Sequence, residues 1–425
     1  MTLGASLRFD HAFLSVEQEQ RIHCMLELTA PPIPDDHNRL PLHLALVIDR
    51  SGSMSGEPLE TAKRAAAYLV HRLRSDDQLS IVAYDDEVTL VHGLAPVGVD
   101  QQLIEASIGG IHSGGSTNLS GGWLKGVEQL GTVAGGQGPK KVLLLSDGHA
   151  NVGIDDAGEL AKLARGAADD GVGTTTIGFG DRFDEDLMTG MANEGGGSAY
   201  FAPGVDNVPG IFAQEFDDLV ALVAQNLSVE IRPDPDTVPM VSVLNEFPIV
   251  SVPGGIQMQV GDAYGEERRR IVFALDVPSL ATLGPATVAE VIVRYVSIGE
   301  EVAAHELRVP VTVNLVSADD PAAAEIDTEV TEEVVILASA RAQEEARERA
   351  QHGDFDGASE LLHKAAEDLR AIAPGSSRAK ELLEQADQTE LHSRTMDDGT
   401  FGMYELKAMR YETNVKRRGR RKGIE

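Results

Sequence analysis

The sequence predicts an α/β fold built on a doubly wound, mostly parallel sheet, which is inserted into a β-sandwich and followed by a C-terminal α-helical region. Three observations support this prediction. Two apolar runs end abruptly in polar residues, as strands buried on both faces of a parallel sheet do. Strand and helix patterns alternate around them, which is typical of doubly wound folds. They predict a hairpin around Asp85 and Asp86, and helices over 57–73, 120–131, 157–169 and 184–193, with a closing helix over 207–225. Short β-rich runs, punctuated by Pro and Gly, lie before and after this region and indicate antiparallel sheets. The runs before it predict strands over Ser6–Val16 and Arg21–Thr29.

A D-x-S-x-S motif follows the first apolar run directly, in the stretch LALVIDRSGSMSG. Ligand sites of open α/β sheets collect at the carboxyl ends of the strands, so we expect a ligand near Asp49, Ser51 and Ser53. Their oxygen atoms are what a hard divalent cation prefers. Downstream, a glycine-rich loop contains Thr117, and the second apolar run ends in Asp147, another carboxylate at the end of a strand.

These pieces, in this order, resemble the von Willebrand factor A (VWA) domain and its metal ion-dependent adhesion site (MIDAS). The family motif is D-x-S-x-S, a threonine in a later loop and an aspartate after the fourth strand, and every position is matched. The resemblance implies that the serines bind the metal directly and that the aspartates act largely through bridging waters. It implies a metal site formed by Asp49, Ser51, Ser53, Thr117 and Asp147.

The donor set carries a mechanism that the resemblance also implies. Most of the donors are neutral hydroxyls, so a bound cation stays electrophilic and keeps an open position for a Glu or Asp of a partner protein. Mg²⁺ is the predicted ion, because its octahedral geometry and slow dehydration suit a site that keeps waters. Mn²⁺ or Ca²⁺ could substitute. The predicted function is a divalent-cation-dependent protein–protein interaction, with no catalytic residue and no organic cofactor.

Composition limits the partners. The chain has 36 Lys and Arg against 68 Asp and Glu, a formal net charge of −32, which disfavours nucleic acid and anionic membranes. We therefore expect a protein partner that is basic overall and presents one acidic side chain. Cys24 is the only cysteine and is predicted to be a small buried hydrophobe. Neither a signal peptide nor an apolar stretch of membrane-spanning length is recognised, which predicts a cytoplasmic protein.

Local sequence further resembles bacterial VWA proteins labelled as calcium-activated chloride channel relatives, although a channel needs a membrane span that the sequence does not indicate. The pattern along the chain predicts five regions. They are N-terminal strands of the sandwich over 1–40, the VWA domain over 41–225, the β-sandwich over 226–318, a helical bundle over 319–395, and a basic C-terminal tail over 396–425.

Two other functions remain open at this stage. The chain could be an accessory adaptor of an AAA+ ATPase of the chelatase kind, which would need the same metal site. Less favoured is a metal-dependent hydrolase, in which His112 and His149 near the metal loops would act; both are more simply rim residues. An acidic cluster at 181–186 is interpreted as the first turn of a helix, and the cations of 416–422 as a solvated or self-docked tail.

Overall fold

The protein is represented by a computed structural model that describes residues 2–16, 18–32, 39–99, 101–133, 138–147, 149–180, 182–235, 237–280, 283–298, 302–317, 319–320, 325–397, 402–418 and 420–421. Its strands are β1 (Gly4–Phe9), β2 (Phe13–Ser15), β3 (Gln20–Thr29), β4 (His43–Asp49), β5 (Gln78–Tyr84), β6 (Val88–Pro96), β7 (Lys140–Ser146), β8 (Val172–Phe179), β9 (Gly196–Ala202), β10 (Leu222–Pro233), β11 (Val241–Val243), β12 (Ile249–Val252), β13 (Gly255–Tyr264), β14 (Arg268–Val277), β15 (Gly284–Ser297), β16 (Ala303–Val316) and β17 (Arg420–Arg421). Its helices are α1 (Glu57–Arg72), α2 (Gln101–Gly109), α3 (Leu119–Gly131), α4 (Ala157–Asp169), α5 (Glu185–Glu194), α6 (Val208–Val220), α7 (Thr328–Gln351), α8 (Phe355–Ile372), α9 (Ala379–Asp397) and α10 (Met403–Arg417).

A central sheet has the strand order β6-β5-β4-β7-β8-β9. Every pairing in it is parallel except that of β5 with β6, which form the predicted hairpin. All seven positions of β4 are buried, because the strand lies in the middle of the sheet with helices on both faces. The carboxyl ends of β4, β7 and β8 consequently meet at one edge, where the predicted metal residues follow.

Helices cover both faces of this sheet and confirm the doubly wound prediction. On one face, α1, α2 and α6 share an apolar core with the sheet, and on the other face α3, α4 and α5 form a second core. The predicted closing helix over 207–225 is wrong at its end, because α6 stops at Val220. The apolar residues that follow instead begin β10, where they pair with β13 and β15.

Two further sheets are β-rich and share one apolar core. Their strand orders are β1-β3-β14-β11, with β17 beside β14, and β12-β13-β10-β15-β16-β2. The N-terminal strand β3 pairs along its whole length with β14, so strands from before and after the central sheet lie side by side. One strand predicted over Ser6–Val16 is wrong, because β1 and β2 are separate strands that belong to different sheets. Cys24 is fully buried in the common core, as predicted.

The C-terminal part is helical and packs on both neighbours. Helix α7 lies on the first β-rich sheet, where the guanidinium of Arg270 bonds Glu27, Glu329 and Glu333. Helices α8 and α9 pack against α7 and each other around small apolar clusters. The predicted tail over 396–425 is wrong for most of its described part, which forms α10. Tyr411 of that helix is buried in the core formed by α3, α4 and α5 on the central sheet, beside Phe183 and Phe201, so this burial provides the apolar contact that orders the helix.

Arg417 and Arg418 of the predicted basic tail dock on the chain itself. Arg417 pairs with Glu246 at 2.7 Å, and Arg418 donates to the carbonyl of Gly197 at 2.7 Å. Among the helices that the structure describes, none is long and apolar enough to cross a membrane.

A buried ion pair joins the central sheet to the β-rich sheets. Lys141 Nζ of β7 lies 2.7 Å from Asp262 Oδ2 of β13, and both side chains are almost completely buried. Burial by itself would lower the pKa of Lys141, but the negative charges of Asp262 and Glu215 raise it. The lysine therefore stays charged and pairs with an acid from another part of the fold.

Replacement of Lys141 by methionine should lower the free energy of unfolding by about 3–5 kcal/mol, because it leaves Asp262 buried without its cation. Urea denaturation followed by circular dichroism measures the loss. The matched control is Lys125→Met, which removes a solvent-screened pair with Glu128 and should change stability by less than about 1 kcal/mol. Equal losses in the two variants would contradict the structural role of the buried pair.

Candidate metal centre

The structure places the predicted metal residues around the carboxyl ends of β4 and β7. Asp49 is the last residue of β4, and its Oδ1 accepts the backbone N–H of Ser51 at 2.8 Å. The hydroxyls of Ser51 and Ser53 are 3.2 Å apart. Ser53 in turn donates to Asp147 Oδ1 at 2.7 Å, although 94 residues separate the two along the chain.

The site is layered from a buried base to an open mouth. Asp49 and Ser51 are buried, whereas Ser53 is exposed to solvent. Asp49 Oδ2 is held at the base by the hydroxyl of Ser146, at 2.7 Å, and lies 3.5 Å from the hydroxyl of Tyr84. The side of Ser53 is therefore open to a ligand.

Electrostatics favours a cation between the two carboxylates. Burial raises the pKa of Asp49, and the hydroxyl and amide donors around it only partly offset that effect. Burial also raises the pKa of Asp147 to about 6, against the hydrogen bond from Ser53 and with the help of the negative charge of Asp49. Two buried acids, one of which raises the pKa of the other, form a region of negative potential, which a divalent cation would relieve.

Thr117 reaches this edge through its backbone. Its N–H donates to the side chain of Asn151 at 2.7 Å, and its carbonyl accepts the N–H of Asn151 at 3.1 Å, so it is tied to the loop that follows Asp147. The same loop is tied to the D-x-S-x-S turn, since Gly52 N–H donates to the carbonyl of Gly115 at 2.9 Å. Thr117 itself is buried.

Asp85 fixes the loop that carries Thr117. The sequence pattern predicts for Asp85 only a place in a hairpin turn. Burial would raise its pKa, but the N–H groups of Glu87 and Gly115 and the guanidinium of Arg50 lower it. The Asp85 side chain lies so close to Gly114 that a Cβ there would be 1.6 Å from Asp85 Oδ2. The glycines of this loop thus allow it to lie directly on the carboxylate. Asp85 stands at the end of β5, the strand beside β4, which is the signal that could have identified it.

The predicted metal residues are therefore gathered at one edge, where hydroxyl oxygens outnumber the two carboxylates. The described residues hold no group of three His, Cys, Asp or Glu that could bind a metal ion, so binding at this edge would depend on the hydroxyls. The donors present fit Mg²⁺, which prefers oxygen.

The other predicted features near this edge have ordinary structural roles. Asp184 caps α5 by accepting the N–H of Leu187, as the helix interpretation of the acidic cluster requires, while Asp181 lies outside the described residues. His112 and His149 are both exposed, and His149 Nδ1 lies 3.9 Å from Asp184 Oδ2. The exposure of the two histidines agrees with the prediction of rim residues. Gly148, which separates Asp147 from His149 in the sequence, is also outside the described residues.

A separate cavity of about 250 Å³ lies where β9, β13 and α10 meet, and none of the predicted metal residues lines it. Its walls include Tyr200, Tyr264 and Arg418.

Comparison with known proteins identifies the domain that bears this edge. Residues 43–214 match the von Willebrand factor type A domain, in agreement with the doubly wound sheet and its site. This part of the chain is therefore a VWA domain. A protein from Synechocystis sp. is 29% identical over 348 residues, which cover 78% of this chain and 80% of that protein.

Two other similarities extend beyond the VWA domain. The solved structure of a von Willebrand factor type A protein from Catenulispora acidiphila superposes with a TM-score of 0.71 at 16% identity, over 92% of this chain and 96% of that one. This similarity shows a shared fold. The E3 ubiquitin-protein ligase WAV3 from Arabidopsis thaliana is 27% identical over 258 residues, which cover 58% of this chain but only 32% of WAV3.

The raised carboxylate pKa values predict how stability responds to pH and Mg²⁺. In the metal-free protein, the folded-state pKa of Asp147, about 6, lies above its ordinary value of 3.8, so ionisation opposes folding. The stability contribution of the neutral acid is present below pH 4 and is lost as the pH rises through about 6. Mg²⁺ binds the ionised form, so the rise in Tm that it causes should be larger at pH 7.5 than at pH 5. Differential scanning fluorimetry at both pH values, with and without Mg²⁺, checks this, and a rise that does not depend on pH would contradict it.

Proposed function

We propose that this protein is a divalent-cation-dependent protein-interaction module, with Mg²⁺ held by Asp49, Ser51, Ser53, Thr117 and Asp147. VWA domains of the MIDAS type mediate metal-dependent protein interactions, and residues 43–214 are a VWA domain by family and fold. The observation that carries the proposal is the hydrogen-bonded chain Ser51–Ser53–Asp147. It gathers hydroxyl and carboxylate oxygens from two strand ends at one exposed point.

Each residue has a distinct part in this proposal. Ser51 and Ser53 offer hydroxyl oxygens to the cation, and Asp49 and Asp147 supply the negative charge that retains it. Ser146 and Tyr84 keep the Asp49 carboxylate in place from below. The bound cation would supply one open position for an Asp or Glu side chain of a partner protein. In this proposal the partner binds through its carboxylate to the cation, and no chemical reaction takes place.

The role of the flanking regions follows from the strand pairing. We interpret the two β-rich sheets as one β-sandwich, into whose sequence the VWA domain is inserted. The reason is that β3 pairs with β14 although the whole VWA segment lies between these strands in the sequence. We keep the proposed division at residues 40, 318 and 395, but the boundary at 225 falls inside β10, which begins at Leu222, and α10 replaces the basic tail. The sandwich and the helical bundle would then hold the VWA domain in a fixed orientation toward its partner.

The proposal assigns no catalytic activity to this chain. WAV3 is named as a ubiquitin ligase, but this chain spans only about a third of its length, so its activity is not transferred. The adaptor role for an AAA+ ATPase stays compatible with the same metal site and would be recognised by the partner captured. The cytoplasmic location and the resemblance to chloride channel relatives stay predictions.

The hydroxyl ligands can be tested one at a time. Ser53→Ala should weaken Mg²⁺ binding at least tenfold, since even outer partners of a metal site are worth about 10–100-fold in affinity. Isothermal titration with Mg²⁺ measures this effect. The matched control is Ser55→Ala, because Ser55 is an exposed serine of the same loop outside the proposed set. Equal affinities in the two variants would contradict the assignment of Ser53.

Partner capture tests the proposed function itself. The wild-type protein, immobilised in Mg²⁺, should retain a partner from a lysate of its own organism, whereas EDTA or Asp49→Ala should abolish retention. Circular dichroism should show that the variant keeps its fold. Recovery of the same proteins under all three conditions would mean that binding does not need the metal, and would contradict the proposal.

A further inference from the structure

The loop after β8 forms one side of the candidate metal centre. Strand β8 pairs with β7 so that Gly178 lies opposite Ser146, the residue before Asp147. The loop that leaves β8 therefore emerges beside Asp147. The contact of His149 with Asp184, 3.9 Å apart, connects the loops after β7 and β8 on the outside of this edge.

Arg182 is the exposed cation of this loop. It makes no hydrogen bond or ion pair with any described residue, while the other arginine of these loops, Arg50, is bound by Asp85 at 3.0 Å. Arg182 lies four residues beyond Gly178, which pairs with Ser146, so the loop brings it to the edge where Asp147 follows β7. Arg182 thus stands at the mouth of the site with its guanidinium available to a ligand.

The backbone next to Arg182 is held from behind. Phe183 is fully buried, and its ring packs so closely on Gly178 that a Cβ there would be 2.3 Å from the ring. Lys407 of α10 donates to the carbonyl of Phe183 and pairs with Glu185 at 2.5 Å. The backbone directly after Arg182 is therefore held in place, which lowers the entropic cost of binding a ligand there.

The charges around this arginine are otherwise acidic. Exposed acids lie on the loops and helix starts at the same edge of the sheet, among them Glu57, Asp86, Glu87, Asp155, Asp156 and Asp186. Suppose that an acidic ligand binds the metal through one carboxylate. These exposed acids would then repel any second carboxylate that the ligand placed near them. Arg182 is the position where a second carboxylate would instead be attracted.

We propose that Arg182 is a second recognition point beside the metal, and that the preferred ligand is a protein segment with two acidic side chains in near succession, one for the metal and one for Arg182. The proposal rests on the metal-dependent function above and deepens it by naming the kind of segment recognised. A guanidinium offers a fork of donors that matches a carboxylate, so the residue selects by geometry as well as by charge.

Two peptides with blocked ends test this proposal. Acetyl-Gly-Gly-Asp-Gly-Gly-amide carries one carboxylate and acetyl-Gly-Asp-Gly-Asp-Gly-amide carries two. In saturating Mg²⁺, the wild-type protein should bind the second peptide about tenfold more tightly, the scale of one charge-assisted contact. Chemical-shift titration of the labelled full-length protein gives both dissociation constants, and the same titrations in EDTA show which binding needs the metal.

Arginine variants separate this contact from the metal. Arg182→Ala should bind both peptides with about equal affinity, and Arg182→Lys should keep part of the preference because it keeps the charge but loses the fork. Mg²⁺ affinity of Arg182→Ala, measured by titration calorimetry, should not fall. The matched control is Arg165→Ala, which removes an arginine of α4 that pairs with Glu194 of α5. This variant should behave as the wild type.

The outcomes distinguish this inference from the proposed function. Metal-dependent binding of both peptides with equal affinity by the wild-type protein would overturn the role of Arg182 and leave metal capture standing. A preference that survives in Arg182→Ala would do the same. Binding of neither peptide in Mg²⁺ would contradict the proposed function, and the role of Arg182 with it.

Discussion

The buried carboxylate of Asp49, at the end of the central strand, is the constraint on which this part of the structure depends. An ionised acid at that depth is unfavourable unless donors or a cation compensate its charge. The protein supplies donors from three directions, namely the N–H of Ser51, the hydroxyl of Ser146 and, at a longer distance, that of Tyr84. These donors leave the pKa of Asp49 raised, so compensation is incomplete. The part of the negative charge of Asp49 that these donors leave uncompensated would be stabilised by a cation bound on the exposed side of the site.

The loops around Asp49 are arranged by a second acid, Asp85, whose role is the opposite. Its carboxylate is compensated by Arg50 and by two backbone N–H groups, and its pKa is lowered. It acts as a fixed anchor for the glycine-rich loop, while Asp49 and Asp147 retain unsatisfied negative potential. The ends of the neighbouring strands β4 and β5 thus both carry an aspartate, but Asp85 anchors a loop whereas Asp49 faces the candidate metal centre. Their surroundings, rather than their identity, decide which one is available to a cation.

Sequence could predict the VWA domain because its signals are local. The continuous apolar run of β4 and the motif that follows it are visible in a few residues, and the helices of the domain were placed nearly correctly from their periodicity. Asp85 was missed, because nothing in the sequence shows that its carboxylate lies under Gly114. The end of α6 was wrong for a related reason. Leu222 to Ala224 suit a helix or a strand equally, and pairing with the distant strands β13 and β15 decides between them.

The C-terminal segment shows the same limit most clearly. Its cations suggested a tail, yet Tyr411 and Lys407 of α10 belong to the VWA domain as much as to the helices, since one lies in its core and the other bonds Phe183 and Glu185. Such contacts join residues more than 200 positions apart and leave no periodic trace in the sequence.

The position of α10 also has an energetic consequence for the candidate metal centre. The helix holds the loop after β8, and that loop borders the edge where Asp147 ends β7. Arg347 and Arg410 add ion pairs from α7 and α10 to Asp186, the second residue of α5. A ligand that contacts this loop therefore acts on a segment whose position the helical region fixes. Because coupling between two sites is reciprocal, a ligand that bound better to the docked loop would favour the docked α10 by the same factor by which docking favours the ligand. The helical region is thus placed to set the affinity of the metal edge without touching the metal.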